Sequence, residues 1–191
     1  MQLILGSSSP RRSALLAQLG LRFNILSPDV DETLAPGELP ADYVSRMSND
    51  KYAAVAAAVP EPSILVAADT VVVLGDQILG KPTDSEQGCR MLSQLSANAH
   101  RVLTSVTIGP TDGENEQFVI ETIVRFRTLT THECKAYWHT GEPQDKAGGY
   151  GIQGVGAMFI DSIEGSYTNV VGLPLTETAQ KLQSFGISIL E

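Results

Sequence analysis

The sequence predicts an α/β fold built on a mixed β-sheet. Short apolar runs alternate with segments that begin with helix-capping residues, which is typical of strands alternating with helices. The run at 64–73 is almost continuously apolar, as in a central strand covered on both faces. The segments at 100–108 and 117–129 alternate polar and apolar residues around a glycine-containing turn, which predicts an antiparallel pair. We therefore expect parallel and antiparallel strands in one sheet.

Composition limits the classes of function. The 191 residues suffice for a sizeable core, and we interpret 1–191 as a single domain. The net charge of −9 argues against broad binding to nucleic acids or anionic membranes. It leaves room for a small anionic ligand, because charge is screened over about 8 Å at physiological salt.

Location is predicted from three features of the sequence. No apolar stretch approaches the roughly 20 residues of a membrane span, so no membrane association is expected. No basic region precedes an apolar run at the N-terminus, so no secretory signal is predicted. Cys89 and Cys134 make no disulfide framework, which favours a reducing cytoplasm.

The first candidate site follows the strand predicted at 3–5. Ser9 is placed as the N-cap of the next helix. A helix N-terminus offers unpaired N–H groups. The same point of the chain carries serine hydroxyls, including that of Ser7, and the guanidiniums of Arg11 and Arg12. This combination indicates a phosphate-binding site. Taken alone, the segment fits a capped helix with two solvated arginines better.

An acidic loop and a helix supply the next candidates. The strand at 23–26 leads into a loop with Asp31 and Glu32, either of which can offer a hard oxygen ligand to Mg²⁺ or Mn²⁺, although solvated carboxylates are the ordinary interpretation. The helix predicted at 40–59 carries Lys51 within its apolar stripe. Two interpretations of Lys51 are equally good: it extends to water, or it projects into a polar cleft to meet an anion.

Asp69 interrupts the apolar strand at 64–73. An ionised carboxylate in such surroundings costs several kcal/mol unless it is paired, hydrogen-bonded or bound to a metal. A structural aspartate satisfied by backbone N–H groups or an arginine is the alternative. We favour a functional role, because the strand gives this position no structural need to be acidic.

Lys81 lies at a predicted junction between a strand and a helix. Gly75 and Asp76 predict a hairpin turn before it, and Thr83 with Glu86 predicts a capping box after it. Loops at such junctions commonly carry chemistry. A surface lysine fits the position equally well.

A glycine-rich stretch matches a dinucleotide-binding pattern and is rejected as one. The segment at 149–154 fits G-x-G-x-x-G, but that motif must follow a strand and open a helix. Here a helix ended by Gly141 precedes it, and a strand is predicted at 157–163. We expect the glycines to let the backbone approach a ligand closely, with Gln153 reading a base edge through its amide.

The C-terminal part adds two helices and no predicted metal ligands. Thr130 and Glu133 predict a capping box for the first helix. Pro174 opens the second helix and Gly186 ends it. The three histidines lack the spacing of metal ligands and are interpreted as structural or exposed.

Taken together, these segments resemble the Maf-like family of nucleoside triphosphate pyrophosphatases. Each block is weak alone, but they occur in order along nearly the whole chain. The matching blocks are Ser7-Ser8-Ser9-Pro10-Arg11-Arg12, Asp31-Glu32, Lys51, Ala68-Asp69-Thr70, Gly80-Lys81-Pro82, Asp145-Lys146-Ala147-Gly148, Tyr150-Gly151-Ile152-Gln153-Gly154 and Val171-Gly172-Leu173-Pro174.

The resemblance implies both a fold and an activity. The implied fold is a long mixed sheet flanked by helices, with two lobes around a central cleft. The implied protein is a cytoplasmic enzyme, often a homodimer, that uses a divalent metal to hydrolyse a nucleoside triphosphate to the monophosphate and pyrophosphate. Such an enzyme cleans the nucleotide pool. The dTTP/UTP branch matches best, on the residues at three positions: Arg11, Thr70 and Gln153.

The resemblance and the residues together suggest a role for each site. Asp69 is expected to be the general base, and Glu32 with Asp69 to hold Mg²⁺ or Mn²⁺. Arg11, Thr70 and Gln153 are expected to select the base. The residues expected to bind the triphosphate are Ser7, Arg12, Lys51 and Lys81.

Two alternative functions stay open at this point. One is a pyrophosphatase for 7-methyl-GTP or a broader set of purine nucleotides. The other is a non-catalytic regulator that acts through a protein partner, since the family has been associated with septum formation in cell division.

Overall fold

The computed structural model describes residues 2–27 and 29–190, and it contains strands, α-helices and short 3₁₀ helices. The strands are β1 (Gln2–Gly6), β2 (Asn24–Ile25), β3 (Ser63–Leu74), β4 (Gln77–Leu79), β5 (Ala99–Pro110), β6 (Glu116–Phe126) and β7 (Ile160–Glu164). The α-helices are α1 (Pro10–Ala17), α2 (Pro40–Ala58), α3 (Ser85–Leu95), α4 (Thr131–Trp138), α5 (Tyr167–Val171) and α6 (Leu175–Ser184). The 3₁₀ helices are Glu142–Asp145, Ala147–Gly149 and Val155–Phe159.

The strands form a mixed sheet, as the sequence predicts. Its order is β2-β1-β3-β5-β6-β7, with β4 paired to β3. Strand β1 is parallel to both β2 and β3, whereas β4 is antiparallel to β3 and β7 is antiparallel to β6. Helices accompany the strands along the chain, so the α/β class is confirmed.

The chain divides into two compact units. The first unit comprises Met1–Asp69, Thr104–Ile120 and Gly172–Glu191. The second unit comprises Thr70–Leu103 and Glu121–Val171. Because their residue ranges cross these bounds, β3, β5 and β6 each contribute residues to both units.

Each unit has a group of buried apolar side chains. In the first unit this group includes Ile4, Tyr52, Val55, Leu65 and Ala67, where α2 packs on β1 and β3. The larger group in the second unit comprises Val72, Leu79, Leu92, Leu95, Val102, Val124, Phe126, Cys134, Tyr137, Tyr150 and Phe159. Burial of this apolar area is the main driving force for folding.

The helix-capping predictions hold at two helices. The Ser9 side chain accepts a hydrogen bond from the backbone N–H of Arg12, and Pro10 is the first residue of α1. Thr130 and Glu133 form the predicted capping box of α4. Each such cap satisfies backbone groups that the helix itself leaves unpaired.

Two local predictions are wrong. The N-cap of α3 is Asp84 rather than Thr83, because the Asp84 carboxylate accepts from the backbone N–H of Gln87 at 2.7 Å. Thr83 instead donates through its hydroxyl to the Gln87 side chain at 2.9 Å. The strand predicted at 157–163 begins only at Ile160, because Val155–Phe159 forms a 3₁₀ helix.

Within residues 2–27 and 29–190, a helix with both the length and the apolar character to cross a bilayer is absent.

Candidate active site

Three charged side chains of the first unit meet around one ammonium group. Lys51 Nζ lies 2.6 Å from Asp69 Oδ1 and 2.6 Å from Glu32 Oε1. The Lys51 and Asp69 side chains are only 11% and 13% exposed, whereas Glu32 is 51% exposed. We call these three residues the charged cluster. It brings together predicted catalytic, metal-binding and substrate-binding residues.

The elements that carry the cluster explain its geometry. Asp69 lies within β3, directly after the buried run Ser63 to Ala68, so its carboxylate is largely withdrawn from water. Lys51 is four residues from Met47 and four from Val55 on the buried face of α2. Its ammonium therefore does not simply extend to water, and it compensates the desolvation cost of the Asp69 carboxylate.

A second group in the first unit gathers around Arg12. Its Nη1 donates to Ser7 Oγ at 3.2 Å, and its Nε donates to the carbonyl oxygen of Gly172 at 2.8 Å. The Ser7 hydroxyl also accepts from the backbone N–H of Ser9 at 3.2 Å. Burial lowers the pKa of Arg12 from its ordinary value, and the carboxylate of Asp69 partly opposes that shift. Ser7 and Arg12, predicted as phosphate-binding residues, are thus in direct contact.

Tyr43 fixes the backbone next to the charged cluster, a role that the sequence did not reveal. Its hydroxyl donates to the Glu32 carbonyl oxygen at 2.9 Å. Burial raises the pKa of Tyr43 to about 12, with the charges of Asp69 and Glu32 adding to the effect. The hydroxyl therefore stays protonated at neutral pH and serves as a donor. A tyrosine on the apolar stripe of an amphipathic helix gives no sign of such a contact.

An ion pair also braces the acidic loop. Arg46 Nε and Nη2 each lie 2.7 Å from a carboxylate oxygen of Glu38, a bidentate arrangement. Arg46 Nη2 also donates to the carbonyl oxygen of Thr33 at 3.0 Å. The hydrogen bonds from Arg46 lower the pKa of Glu38 to about 2, so the pair stays ionised across the physiological range.

The carboxylates of Glu32 and Asp69 are the hard oxygen donors in the charged cluster, the ligand type that a divalent cation takes. Both reach the same Lys51 ammonium, so they converge on one cationic position. Asp31 has a local structural contact instead: its carboxylate accepts from the backbone N–H of Thr33 at 2.9 Å and from the Thr33 hydroxyl at 2.6 Å. In the described parts of the chain, no cluster of three or more His, Cys, Asp or Glu side chains has the geometry of a metal site. Mg²⁺ commonly takes one or two carboxylates and completes its coordination with water and substrate phosphates, which suits this donor set.

The remaining predicted site residues are divided between the units. Arg11 is half-buried on α1, and Thr70 is the half-buried residue that follows Asp69 on β3. Lys81 is exposed and lines a cavity of about 300 Å³ in the second unit, together with Arg90. Gln153 is exposed in a turn of the second unit.

The glycine-rich loop differs from its prediction. A Cβ at Gly154 would collide with the carboxylate of Glu142, and one at Gly156 would lie 2.5 Å from Tyr137 Oη. These two glycines admit neighbouring side chains of the protein, whereas the sequence suggested that they admit a ligand. The rejection of a dinucleotide fold is confirmed, since α4 and two short 3₁₀ helices come before the loop where that fold needs a strand.

The fold and the charged cluster define an α/β protein with a lysine-paired carboxylate site within electrostatic reach of a half-buried arginine. The chain belongs to the family described as Maf-like protein, whose model matches residues 2–185. It is also similar to proteins named dTTP/UTP pyrophosphatase in several bacteria. The relative from Vibrio vulnificus strain YJ016 is 50% identical over 184 residues, covering 96% of this chain and 98% of the relative.

Two further relatives carry the same name. The one from Vibrio cholerae is 48% identical over 184 residues, with 96% of this chain and 98% of the relative covered. The one from Pseudoalteromonas atlantica is 47% identical over 190 residues, with 97% and 98% covered. The similarity thus extends over nearly the whole length of each chain.

Proposed function

We propose that this protein is a nucleoside triphosphate pyrophosphatase that hydrolyses dTTP and UTP to the monophosphate and pyrophosphate. The observation that carries the proposal is the charged cluster, in which Lys51 holds the Asp69 carboxylate beside that of Glu32. The names of relatives that match over nearly their full length supply the substrates. Removing dTTP and UTP, or modified forms of them, is a nucleotide-pool cleaning role.

Asp69 acts as the general base. Its carboxylate accepts a proton from a water molecule whose oxygen attacks the α-phosphorus. The bond between that phosphorus and the α–β bridging oxygen breaks, and pyrophosphate leaves. Lys51 holds Asp69 Oδ1 at 2.6 Å, which fixes the orientation of the carboxylate.

Cations of the chain stabilise the phosphate charge. Arg12 is already oriented by Ser7 and the Gly172 carbonyl, so little reorganisation is required when it meets a phosphate. Lys51 supplies a second positive charge and Lys81 a third. A charge pair about 4 Å apart is worth roughly 4 kcal/mol at an effective dielectric near 20, which allows an acidic chain to bind a triphosphate locally.

A divalent cation, Mg²⁺ or Mn²⁺, would be held by Glu32 and Asp69. When bound, such an ion neutralises charge on the phosphate oxygens. Tyr43 and the Arg46–Glu38 pair hold the acidic loop in place through Glu32 and Thr33 backbone oxygens. They therefore keep one of the two carboxylates in position.

Base selection is assigned to Arg11, Thr70 and Gln153. A side-chain amide offers one carbonyl acceptor and two N–H donors. The uracil or thymine edge presents an imide N–H between two carbonyl oxygens, so the Gln153 amide is able to pair with it in both directions. Its exposure leaves the amide accessible to a nucleotide.

We also propose a cytoplasmic location and a homodimer. Both cysteines are free thiols, which suits a reducing compartment. Large apolar side chains of the first unit are exposed, among them Ile25 (50%), Leu34 (47%) and Leu39 (63%), and the proposed homodimer would cover them. Light scattering coupled to size-exclusion chromatography tests the dimer directly.

A nucleotide panel tests the proposed function. The purified full-length protein is assayed with dTTP, UTP, dCTP, ATP, GTP and 7-methyl-GTP, with Mg²⁺ or with EDTA, and both pyrophosphate and monophosphate are quantified. We expect the highest kcat/KM for dTTP and UTP, and loss of turnover in EDTA. Preference for 7-methyl-GTP or purines would replace the proposed substrates, and no turnover of any nucleotide would favour the non-catalytic alternative.

A further inference from the structure

The Glu142 carboxylate is bound to the far end of the loop that carries Gln153. Glu142 Oε2 accepts from the backbone N–H of Val155 at 2.8 Å, and its Oε1 accepts from that of Gly156 at 3.1 Å. These two N–H groups are at the start of the 3₁₀ helix Val155–Phe159, where no preceding turn satisfies them. One side chain therefore anchors the residues that follow Gln153.

Tyr137 anchors the other end of the same loop. Its hydroxyl accepts from the backbone N–H of Gly151 at 3.1 Å. The same hydroxyl donates to Glu142 Oε1 at 2.7 Å, which links the two anchors to each other. Gln153 is two positions after the anchored Gly151 and two positions before the anchored Val155.

The glycines of the loop are placed where the anchors leave no room. Gly154 packs against the Glu142 carboxylate, and Gly156 packs against Tyr137 Oη. A Cβ at Gly151 would lie 2.8 Å from Cε of Lys146, whose ammonium donates to the Glu142 carbonyl oxygen at 2.7 Å. The close packing means that the backbone at 151–156 has few alternative positions while the anchors are in place.

Both anchors are in the protonation state that the geometry requires. Burial opposes ionisation of Glu142, but the hydrogen bonds from Tyr137, Gly156 and Val155 outweigh it, so the pKa of Glu142 lies below its ordinary value. Burial, with the hydrogen bond to Glu142, raises the pKa of Tyr137. At neutral pH the carboxylate accepts and the phenol donates.

We infer that Glu142 and Tyr137 form a loop clamp that sets the position of Gln153 and thereby controls discrimination between nucleobases. Both are positioning residues, because they act through the backbone at 151–156. The selection part of the inference rests on the proposed function. The clamp itself rests only on contacts within the second unit.

The decisive variant is Glu142→Gln, with Glu133→Gln as its matched control. An amide at position 142 keeps the size of the side chain, but it turns an N–H donor toward one of the donors that the carboxylate now satisfies. Glu133 is also a hydrogen-bonded glutamate of the second unit, and its partners are Thr130 and Arg127 rather than the loop. Tyr137→Phe removes the second anchor.

Hydrogen exchange and a specificity ratio are measured on the full chain. We expect the amides of Val155 and Gly156 to exchange about tenfold faster in Glu142→Gln, because the carboxylate that accepts from both of them is replaced. We expect the ratio of kcat/KM for UTP to that for CTP to fall about fivefold or more, because the same lost hydrogen bonds leave Gln153 less well positioned. Tyr137→Phe should speed exchange at Gly151 and lower the ratio more weakly, and Glu133→Gln should show neither effect.

The outcomes separate the inference from the proposed function. Unchanged exchange at Val155 and Gly156 in Glu142→Gln overturns the clamp. Faster exchange with an unchanged UTP to CTP ratio overturns its role in selection. A wild-type protein that turns over neither dTTP nor UTP contradicts the proposed function and the selection role with it, while the exchange data still decide whether the clamp exists.

Discussion

The two loops that carry predicted site residues are held by similar means but present different chemistry. In the first unit, Tyr43 holds the acidic loop by its backbone, and the functional carboxylate of Glu32 reaches Lys51. In the second unit, Tyr137 and Glu142 hold the glycine-rich loop by its backbone, and Gln153 remains exposed. Each loop has a tyrosine hydroxyl as one of its anchors.

The difference between the loops lies in where the charge is used. In the first unit, the charged groups are the predicted reactive groups, so their removal should reduce turnover. In the second unit, the charge of Glu142 is used to hold the backbone, so its removal should alter discrimination more than turnover. The comparison therefore predicts which kinetic parameter each substitution will change.

Replacing Asp69 should have the largest effect. Asp69→Asn keeps the shape of the side chain but removes the base, so kcat for dTTP should fall about 10³-fold. Pyrophosphate release is the measurement, with circular dichroism to verify the fold. Asp112→Asn, in an exposed turn of the same unit, should stay within about twofold of wild type. Full activity in Asp69→Asn would remove this residue from the mechanism.

Replacing Lys51 should have the next largest effect. Lys51→Met keeps the apolar stem but leaves the Asp69 and Glu32 carboxylates without their shared ammonium. We expect kcat to fall about 10²-fold, the cost of losing one preorganised electrostatic contact. Lys181→Met is the control, because Lys181 pairs with Glu116 on the surface of the same unit. Equal activity in the two variants would mean that Lys51 does not support turnover.

Replacing Tyr43 should have a moderate effect. Tyr43→Phe removes the hydrogen bond to the Glu32 carbonyl oxygen, so turnover should fall roughly fivefold, as expected for one neutral hydrogen bond. Tyr52→Phe is a close control. Tyr52 lies on the same helix and its hydroxyl also donates to a backbone carbonyl, that of Pro110, at 2.8 Å. A loss of turnover in Tyr52→Phe as large as in Tyr43→Phe would indicate a general effect of α2 packing.

The last prediction concerns stability rather than turnover. Burial lowers the pKa of His100 to about 4, and its Nε2 lies 2.7 Å from Tyr150 Oη. The unfolded chain binds a proton at about pH 6.5 and the folded chain only near pH 4. Stability is therefore undiminished well above pH 6.5 and falls as the pH decreases toward 4, by about 2 kcal/mol between pH 8 and pH 5.

Urea unfolding at a series of pH values measures this loss. In His100→Gln the loss of stability between pH 8 and 5 should be smaller by about 2 kcal/mol, whatever the absolute stability of the variant. His132→Gln, at an exposed position on α4, should retain the wild-type slope. An identical slope in His100→Gln and wild type would mean that this histidine is not kept neutral by burial.

Local signals predicted most of the fold. The apolar run before Asp69 is β3, the N-cap at Ser9 begins α1, and the capping box at Thr130 begins α4. The cap of α3 is Asp84, one residue after the predicted Thr83, because both residue types are good N-caps and only the backbone path selects between them. The strand predicted at 157–163 starts three residues too early, because apolar content does not distinguish a 3₁₀ turn from a strand.

The site was predictable where a residue conflicted with its surroundings. Asp69 and Lys51 are charged residues in apolar segments, and the structure pairs them. Tyr43 and Glu142 gave no such signal, because a tyrosine on an amphipathic helix and a glutamate after a helix are ordinary. Their roles depend on contacts with backbone groups across 11 to 14 positions in sequence, which spacing alone does not reveal.

The measurement that tests the proposed chemistry most directly follows the oxygen of water. Hydrolysis of dTTP is carried out in water enriched in oxygen-18, and the products are separated and weighed by mass spectrometry. Attack at the α-phosphorus, assisted by Asp69, places the label in the monophosphate and leaves pyrophosphate unlabelled. Label in pyrophosphate, or in free phosphate with a diphosphate as the second product, would contradict attack at the α-phosphorus.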